Sequence, residues 1–396
     1  MRRLSRKFDW IHGKLGIAPT LGTLVTSSAR LTIDFNALAG NYSLLRRQVA
    51  PAEVAGVVKA DGYGLGAVRV AQTLIDEGCR HLFVALLGEA VALKPSLPTD
   101  VALYVLNGLM PGAEAQCAAV GAIPVLNSVD QIVRWSKLAA SRDAVLPAVL
   151  QVDTGMSRMG LPADEIDAVL SGPGMLDGID LRLVMSHLAC ADEPSNPASA
   201  AQARRFDAFC ARFRDVPRAL DNSGGAFLPR SHLDIVRAGI AVYGGAPNDG
   251  PNPMRPVIAL QAGIAQVRTI PPGTGVGYGL TFTTSRESRI ATIPVGYADG
   301  WPRCLGNRGS AFLAGQRVPI VGRVSMDSMT LDITDVPDAH LYPGAPVELI
   351  GPHQSLDAVA RDAGTISYEI LTQLSRRYER VHLPVRAGAF DRSVAP

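Results

Sequence analysis

Short apolar runs alternate with helix-like stretches along the first two thirds of the chain. From Glu53 to about Ala246, amphipathic segments with the 3.6-residue period of a helix separate these runs. The apolar runs predict eight strands, at Val54–Val58, Leu82–Leu86, Val101–Leu106, Ile123–Leu126, Ala148–Val152, Leu181–Ser186, Arg218–Leu220 and Leu233–Val236. The segments between them predict helices at Ala67–Glu77, Val129–Ala140, Ala163–Leu170 and Ala198–Phe213.

Eight strand–helix units in about 200 residues are what a (β/α)8 barrel requires. A doubly wound open sheet is the alternative, and the count of eight favours the barrel. We therefore predict an α/β fold in which residues 29–252 form a TIM-type barrel, preceded by a loose N-terminal extension at 1–28.

The pattern changes after about Asn252. Short β-rich runs follow one another, separated by turns such as Pro271-Pro272-Gly273, and this predicts a mostly antiparallel β domain over 253–396 with a helical insert near Ser355–Ser375. The predicted strands are Val257–Val267, Arg289–Val295, Val318–Ile320, Thr330–Ile333 and Val347–Ile350.

Composition narrows the class of protein. The chain has 396 residues, 47% of them hydrophobic, and a formal net charge of +2, so we expect a folded protein with neither a nucleic-acid nor a membrane partner. The N-terminus is basic and then mildly apolar, but Lys14 and Pro19 interrupt the apolar part, which disfavours a signal peptide. Five cysteines without metal-ligand spacing favour free thiols in a reducing, cytoplasmic compartment and predict no metal site.

One stretch carries the first chemical signal. Val57-Val58-Lys59 runs into a cluster of glycines, and Lys59 therefore lies at the carboxyl end of the first predicted strand, where barrels place their active sites. Three interpretations are open: a surface lysine, a dinucleotide loop based on Gly62-x-Gly64-x-x-Ala67, or an amine that forms a Schiff base with pyridoxal phosphate. The dinucleotide loop lacks the acid expected about 20 residues later.

Other polar groups follow other predicted strands. Arg158 lies in a glycine-bracketed loop after the fifth strand and His187 follows the sixth. Ser223 follows the seventh and Arg237-Ala238-Gly239-Ile240 the eighth, where such barrels often bind phosphate.

Nine stretches in this order resemble the alanine racemase family of fold-type III pyridoxal-phosphate enzymes, from about Leu31 to Leu383. The stretches are AGVVKADGYGLG (55–66), DTGMSRMG (153–160), SHLACAD (186–192), DNSGG (221–225), VRAGIAVYG (236–244), GVGYGLTF (275–282), GYADGWPR (296–303), GRVSMD (322–327) and SYEIL (367–371).

The resemblance implies a pyridoxal 5′-phosphate enzyme that racemises alanine in a homodimer. Lys59 would hold the cofactor covalently and act on the D face of the substrate, and Tyr278 from the partner subunit would act on the L face. His187 would assist Tyr278 and Arg237 would face the pyridine nitrogen of the cofactor.

The remaining site residues also come from the resemblance. The cofactor phosphate would be held by Tyr63, Ser223, Gly239, Ile240 and Tyr368. Arg158 would contact the cofactor and the substrate carboxylate, with Met326 and Asp327 of the partner subunit as further substrate contacts. The entrance to the site would be lined by Tyr297, Arg303, Arg323, Asp192 and Ile366.

One position departs from the family. Many members have a lysine, often carbamylated, seven residues before the arginine of the DTGM motif, and here that residue is Gln151. We expect no carbamate there, and a hydrogen bond in which the Gln151 amide oxygen accepts from Arg158. The expected activity is alanine racemisation, whether biosynthetic for peptidoglycan or catabolic. A racemase of serine or of broad specificity is the alternative, and a basic amino-acid decarboxylase is disfavoured because Arg237 occupies the place of its glutamate.

Overall fold

The computed structural model describes residues 29–172, 174–213 and 215–384. The N-terminal extension predicted at 1–28 lies outside these residues. Within them, no helix combines the length and the apolar character that a membrane crossing requires.

The first half is a barrel of eight parallel strands, as predicted. The strands are β2 (Glu53–Val57), β3 (His81–Val84), β4 (Ala102–Val105), β5 (Ile123–Leu126), β6 (Leu146–Gln151), β7 (Ile179–Met185), β8 (Arg218–Ala219) and β9 (Ile235–Ala238). Each pairs with the next in sequence from β2 to β8, and β9 returns to pair in parallel with β2. Backbone bonds from the N–H of Asp234 to the Arg218 carbonyl (3.0 Å) and from that of Arg237 to the Asp221 carbonyl (2.9 Å) link β8 to β9 and nearly close the ring.

Helices surround the barrel. They are Phe35–Val49, Ala67–Asp76, Leu87–Leu93, Glu114–Val120, Val129–Ser141, Ala163–Ser171 and Pro197–Cys210. Side chains start several of them: Asp34, Ser128 and Asn196 each accept a hydrogen bond from a backbone N–H in the first turn. The four predicted helices agree with the structure to within three residues at each end.

The second half is built on a nine-stranded, mostly antiparallel sheet. Its order is β11 (Gln266–Ile270), β14 (Ser288–Ile293), β17 (Met329–Asp332), β16 (Gln316–Val321), β15 (Ser310–Leu313), β18 (Pro346–Ile350), β10 (Ile258–Gly263), β1 (Ala29–Asp34) and β19 (Glu379–Leu383). Strands β12 (Gly275–Val276) and β13 (Phe282–Thr283) form a small separate hairpin. The helices Leu356–Ala363 and Ser367–Gln373 occupy the predicted helical insert.

Two features of this sheet differ from the pattern prediction. The predicted strand Val257–Val267 is two strands, because the backbone changes partners: Ile264 N–H donates to Ala345 and Ala265 N–H donates to Thr292. Strand β1, which precedes the barrel in sequence, pairs with β10 and β19 and so joins the second sheet to the start of the barrel.

Candidate active site

A cavity of about 840 Å³ opens at the carboxyl ends of the barrel strands. Lys59 follows β2, His187 follows β7 and Arg237 lies in β9, and the helices Leu356–Ala363 and Ser367–Gln373 cover part of the opening. The cavity brings together ten of the residues selected from the sequence: Lys59, Tyr63, Arg158, His187, Asp192, Ser223, Arg237, Gly239, Ile366 and Tyr368.

The backbone immediately after Lys59 is a left-handed turn. Ala60, Asp61, Gly62 and Tyr63 have φ values of 53°, 54°, 61° and 53°. Each non-glycine residue in this conformation costs roughly 1–2 kcal/mol. Backbone bonds compensate, from Gly62 N–H to Val58 (2.9 Å) and from Gly64 N–H to Ala60 (2.8 Å). The glycines thus shape a strained turn that directs both Lys59 and Tyr63 into the cavity.

Tyr63 is the centre of an aromatic stack. Its ring lies 4.3 Å from that of Tyr243 and 5.9 Å from that of Tyr368, and burial raises its pKa. A Cβ atom at Gly239 would lie only 2.4 Å from the Tyr63 hydroxyl. Beside it, the Ser223 hydroxyl accepts from Gly239 N–H at 2.8 Å. Only glycine therefore leaves room for this hydroxyl-rich wall.

Ile240, also predicted at this wall, is fully buried next to Gly239, behind the cavity surface. A contact from Ile240 to a ligand would come from its backbone, not from its side chain.

Arg237 is buried, and only one of its two terminal guanidinium nitrogens has hydrogen-bond partners in the part of the chain that the structure describes. Its Nη2 donates to the Ser186 carbonyl (2.5 Å) and contacts His187 Nδ1 (3.2 Å), whereas its Nη1 has no hydrogen-bond partner in the described residues. Burial lowers the pKa of Arg237 to about 10, and the Asp221 carboxylate opposes this shift. An unpartnered buried donor on a residue that lines the cavity is suited to a ligand acceptor.

His187 is neutral near pH 7. Burial and the neighbouring positive charges, of which Arg237 is the largest, lower the pKa of His187 to about 3. Since Arg237 can only donate, His187 Nδ1 must accept, and the ring proton is therefore on Nε2.

Lys59 and Arg158 face the same space. Burial and the Arg158 guanidinium lower the pKa of Lys59, while Glu89 opposes that shift. Gln151 lines the cavity and its Nε2 donates to the Met159 carbonyl at 3.3 Å. Among the described residues no hydrogen bond joins Gln151 to Arg158, so the bond expected from the sequence is not formed in this structure.

Apart from Ile366 and Tyr368, the predicted residues of the second domain lie outside this cavity. Four large apolar side chains there form what we term the β-domain patch, and their exposed fractions are high: Tyr278 72%, Leu280 65%, Tyr297 43% and Met326 53%. Arg303, Arg323 and Asp327 are also exposed.

Contacts between neighbouring residues link the segments that carry the β-domain patch. Arg323 reaches within 3.2 Å of a Cβ built at Gly279, the residue after Tyr278. Tyr297 N–H donates to the Ser325 carbonyl at 3.0 Å, beside Met326. Asp327 accepts from Arg377 at 2.8 Å. The segments around Tyr278, Tyr297 and Met326 are therefore neighbours, and the single chain leaves these three side chains exposed.

Comparison with known proteins decides the family. Residues 33–247 match the alanine racemase N-terminal domain, and residues 257–382 match the alanine racemase C-terminal domain. Together they account for most of the chain. The chain belongs to the alanine racemase family.

Relatives and solved structures support the same family. An alanine racemase of Brucella canis is 52% identical over 373 residues, covering 90% of this chain and 94% of the relative. A catabolic alanine racemase of Agrobacterium fabrum is 50% identical over 359 residues, covering 90% of this chain and 92% of the relative. A crystal structure of alanine racemase from Bartonella henselae, with covalently bound pyridoxal phosphate, has a TM-score of 0.87 at 42% identity and covers 90% of this chain and 100% of its own.

The cavity has the donors that pyridoxal phosphate, the predicted cofactor, requires. The unpartnered Arg237 Nη1 suits a ring nitrogen that accepts a hydrogen bond, and the wall formed by Tyr63, Ser223 and Gly239 suits a phosphate. Lys59 supplies an amine of lowered pKa for the aldehyde.

Sequence reasoning missed several residues of the site. Asn107 lines the cavity and follows β4 as Lys59 follows β2, so its position at a strand end could have indicated it from the sequence. Tyr243 stands in a motif recognised from the sequence, yet its stacking on Tyr63 could not be predicted. The Glu89 carboxylate accepts from Ala60 N–H across 29 residues of sequence, and no local pattern indicates this bond.

Proposed function

We propose that this protein is a pyridoxal-phosphate-dependent alanine racemase that interconverts L- and D-alanine with two bases in a homodimer. The carrying observation is the cavity in which an amine of lowered pKa (Lys59), a neutral histidine (His187) and a buried guanidinium with an unpartnered Nη1 (Arg237) converge. Relatives named alanine racemase at about half sequence identity over most of the chain support the substrate.

Pyridoxal phosphate, held by Arg237, Tyr63 and Ser223, would supply an electron-withdrawing group that makes the hydrogen on the substrate Cα more acidic. Lys59 takes or returns a proton at Cα on the D face, and its lowered pKa increases the fraction of neutral amine available for that task. Arg158 orients the substrate through its carboxylate. Arg237 remains protonated at neutral pH, so it donates to the ring nitrogen without transferring its proton.

Tyr278 of the partner subunit serves the L face. A free tyrosine has a pKa of about 10 and needs help to act as a base near neutrality. His187 can give that help: since Arg237 occupies Nδ1, the Nε2–H of His187 is free to donate to the phenolic oxygen and to stabilise its anion.

The β-domain patch supports assembly into a homodimer. Tyr278 and Met326 are exposed and lie outside their own chain's cavity, so a second copy is needed to bring them to a site. The exposed apolar side chains are of the kind that interfaces bury. In the same arrangement Asp327, Tyr297, Arg303 and Arg323 would complete the substrate pocket and its entrance beside Asp192 and Ile366.

Assays with L-alanine, L-serine and L-lysine test the activity and the substrate preference. We expect the bound cofactor to give an absorbance band at about 420 nm, a typical Schiff-base value, and borohydride to abolish this band. We also expect the highest kcat/KM with alanine. A colourless protein without racemase activity refutes the proposal, and comparable rates with serine establish the broad-specificity alternative.

A mixing experiment tests the shared site. Lys59→Ala and Tyr278→Phe are each expected to be nearly inactive. In a randomised mixture, half of the dimers combine both variants and one of their two sites is intact, so about a quarter of wild-type activity should return. If each site is confined to one chain, the mixture stays inactive.

A further inference from the structure

Glu89 makes one contact that its own helix does not explain. It is the third residue of the helix Leu87–Leu93, and it accepts from the N–H groups of Ala85 (2.7 Å) and Leu86 (3.1 Å). These two bonds are an ordinary helix cap. Its other oxygen accepts at 2.6 Å from the N–H of Ala60, which follows a different strand.

The Ala60 N–H belongs to the peptide group that joins Lys59 to Ala60. Fixing that group fixes the direction in which Lys59 leaves the backbone. Ala60 also starts the left-handed turn, a conformation that an alanine does not adopt without external support. A bond to a carboxylate is stronger than one to a neutral acceptor, so Glu89 is well suited to give that support.

The charge of Glu89 acts on the same lysine. It opposes the effects of burial and of Arg158, both of which lower the Lys59 pKa. The carboxylate therefore influences both the orientation of Lys59 and its proton affinity, from the helix that follows the neighbouring strand β3.

We propose that Glu89 is a positioning residue for Lys59: by holding the Lys59–Ala60 peptide in the left-handed turn, it aims the lysine amine at the substrate. This inference rests on the proposed function, in which Lys59 moves the substrate proton. The competing interpretation is that Glu89 only caps the helix Leu87–Leu93.

Glu89→Gln separates the two interpretations. Glutamine loses the charge and has a single acceptor oxygen, which the two N–H groups of Ala85 and Leu86 attract more strongly than the one N–H of Ala60 does. The amide NH2 then faces Ala60 and cannot accept from it. The matched control is Glu165→Gln, the same chemical change on the outer helix Ala163–Ser171. Both variants are studied as cofactor-saturated full-length enzyme, by steady-state kinetics and by hydrogen–deuterium exchange.

We expect the amides of residues 60–64 to exchange about tenfold faster in Glu89→Gln than in wild type or in Glu165→Gln. We also expect kcat to fall about tenfold with KM changed less than twofold, because Arg158, not Glu89, contacts the substrate. Faster exchange confined to residues 85–93, with kcat within twofold of wild type, overturns the proposal.

Two further comparisons keep the outcome clear. If Glu89→Gln does not fold, Glu89→Asp is measured in the same way, because its shorter carboxylate keeps the charge but cannot reach both strand ends. If the wild-type enzyme does not racemise alanine, the proposed function fails, whereas exchange at residues 60–64 still reports whether Glu89 holds the turn.

Discussion

Gly239 gives the sharpest test of the site geometry. A Cβ at this position would lie 2.4 Å from the Tyr63 hydroxyl and 3.2 Å from the ring carbon that carries it, whereas ordinary contact begins at 3.4 Å. The substitution Gly239→Ala therefore requires the Tyr63 hydroxyl to move by about 1 Å. The ring cannot swing aside freely because it is stacked on Tyr243 and packed against Tyr368.

Two costs follow from that displacement. Overpacking of a filled site costs about 1–3 kcal/mol of stability. Loss of the hydrogen bond that we propose between Tyr63 and the cofactor phosphate would cost about 1.5–3 kcal/mol of cofactor affinity, which corresponds to roughly 10- to 150-fold. We expect both effects in Gly239→Ala.

Titration of the cofactor-free protein with pyridoxal phosphate, followed by absorbance, measures the affinity, and thermal unfolding measures the stability. Gly88→Ala is the matched control, because a Cβ there meets no atom within 4 Å and the residue lies in a helix. An unchanged dissociation constant and an unchanged melting temperature in Gly239→Ala would refute the assignment of this wall to the phosphate.

Two other predictions concern charge. The His187 pKa is lowered from 6.5 to about 3, so between these pH values His187 is protonated in the unfolded chain and neutral in the folded chain. The free energy of unfolding should therefore fall by up to about 1.4 kcal/mol per pH unit as the pH drops from about 6.5 to about 3. In urea titrations at stepped pH, His187→Gln should lose this part of the slope; equal slopes would contradict it. Gln151→Glu places a carboxylate near Arg158, which should raise the KM for both alanine enantiomers about tenfold, whereas Gln151→Leu should not. An unchanged KM in initial-rate assays would show that Arg158 does not bind the substrate carboxylate.

Much of the fold was legible in the sequence because the signals are local. Each barrel strand is a short apolar run, and each predicted helix between strands has its own period, with capping side chains at Ser128 and Asn196, so the order of the elements could be counted. The ends of those strands also located the chemistry: Lys59, His187 and Arg237 were selected as strand-end groups, and the cavity contains all three.

The pairings between strands that are distant in sequence could not be predicted. Strand β1 could not be assigned to the second sheet, since its partners around Ala259 and Val381 are more than 200 residues away. The break between β10 and β11 arises from a change of backbone partners and leaves the apolar pattern uninterrupted.

The sequence by itself determined the order of strands and helices, the family and the candidate reactive groups, because residue type and spacing carry that information. Only the tertiary structure decided how those groups act together. The left-handed turn after Lys59 runs against the preference of alanine, aspartate and tyrosine, and it persists because Glu89 and the aromatic stack hold it from distant parts of the chain. The protonation of His187 likewise depends on burial beside Arg237, a property of the assembled cavity.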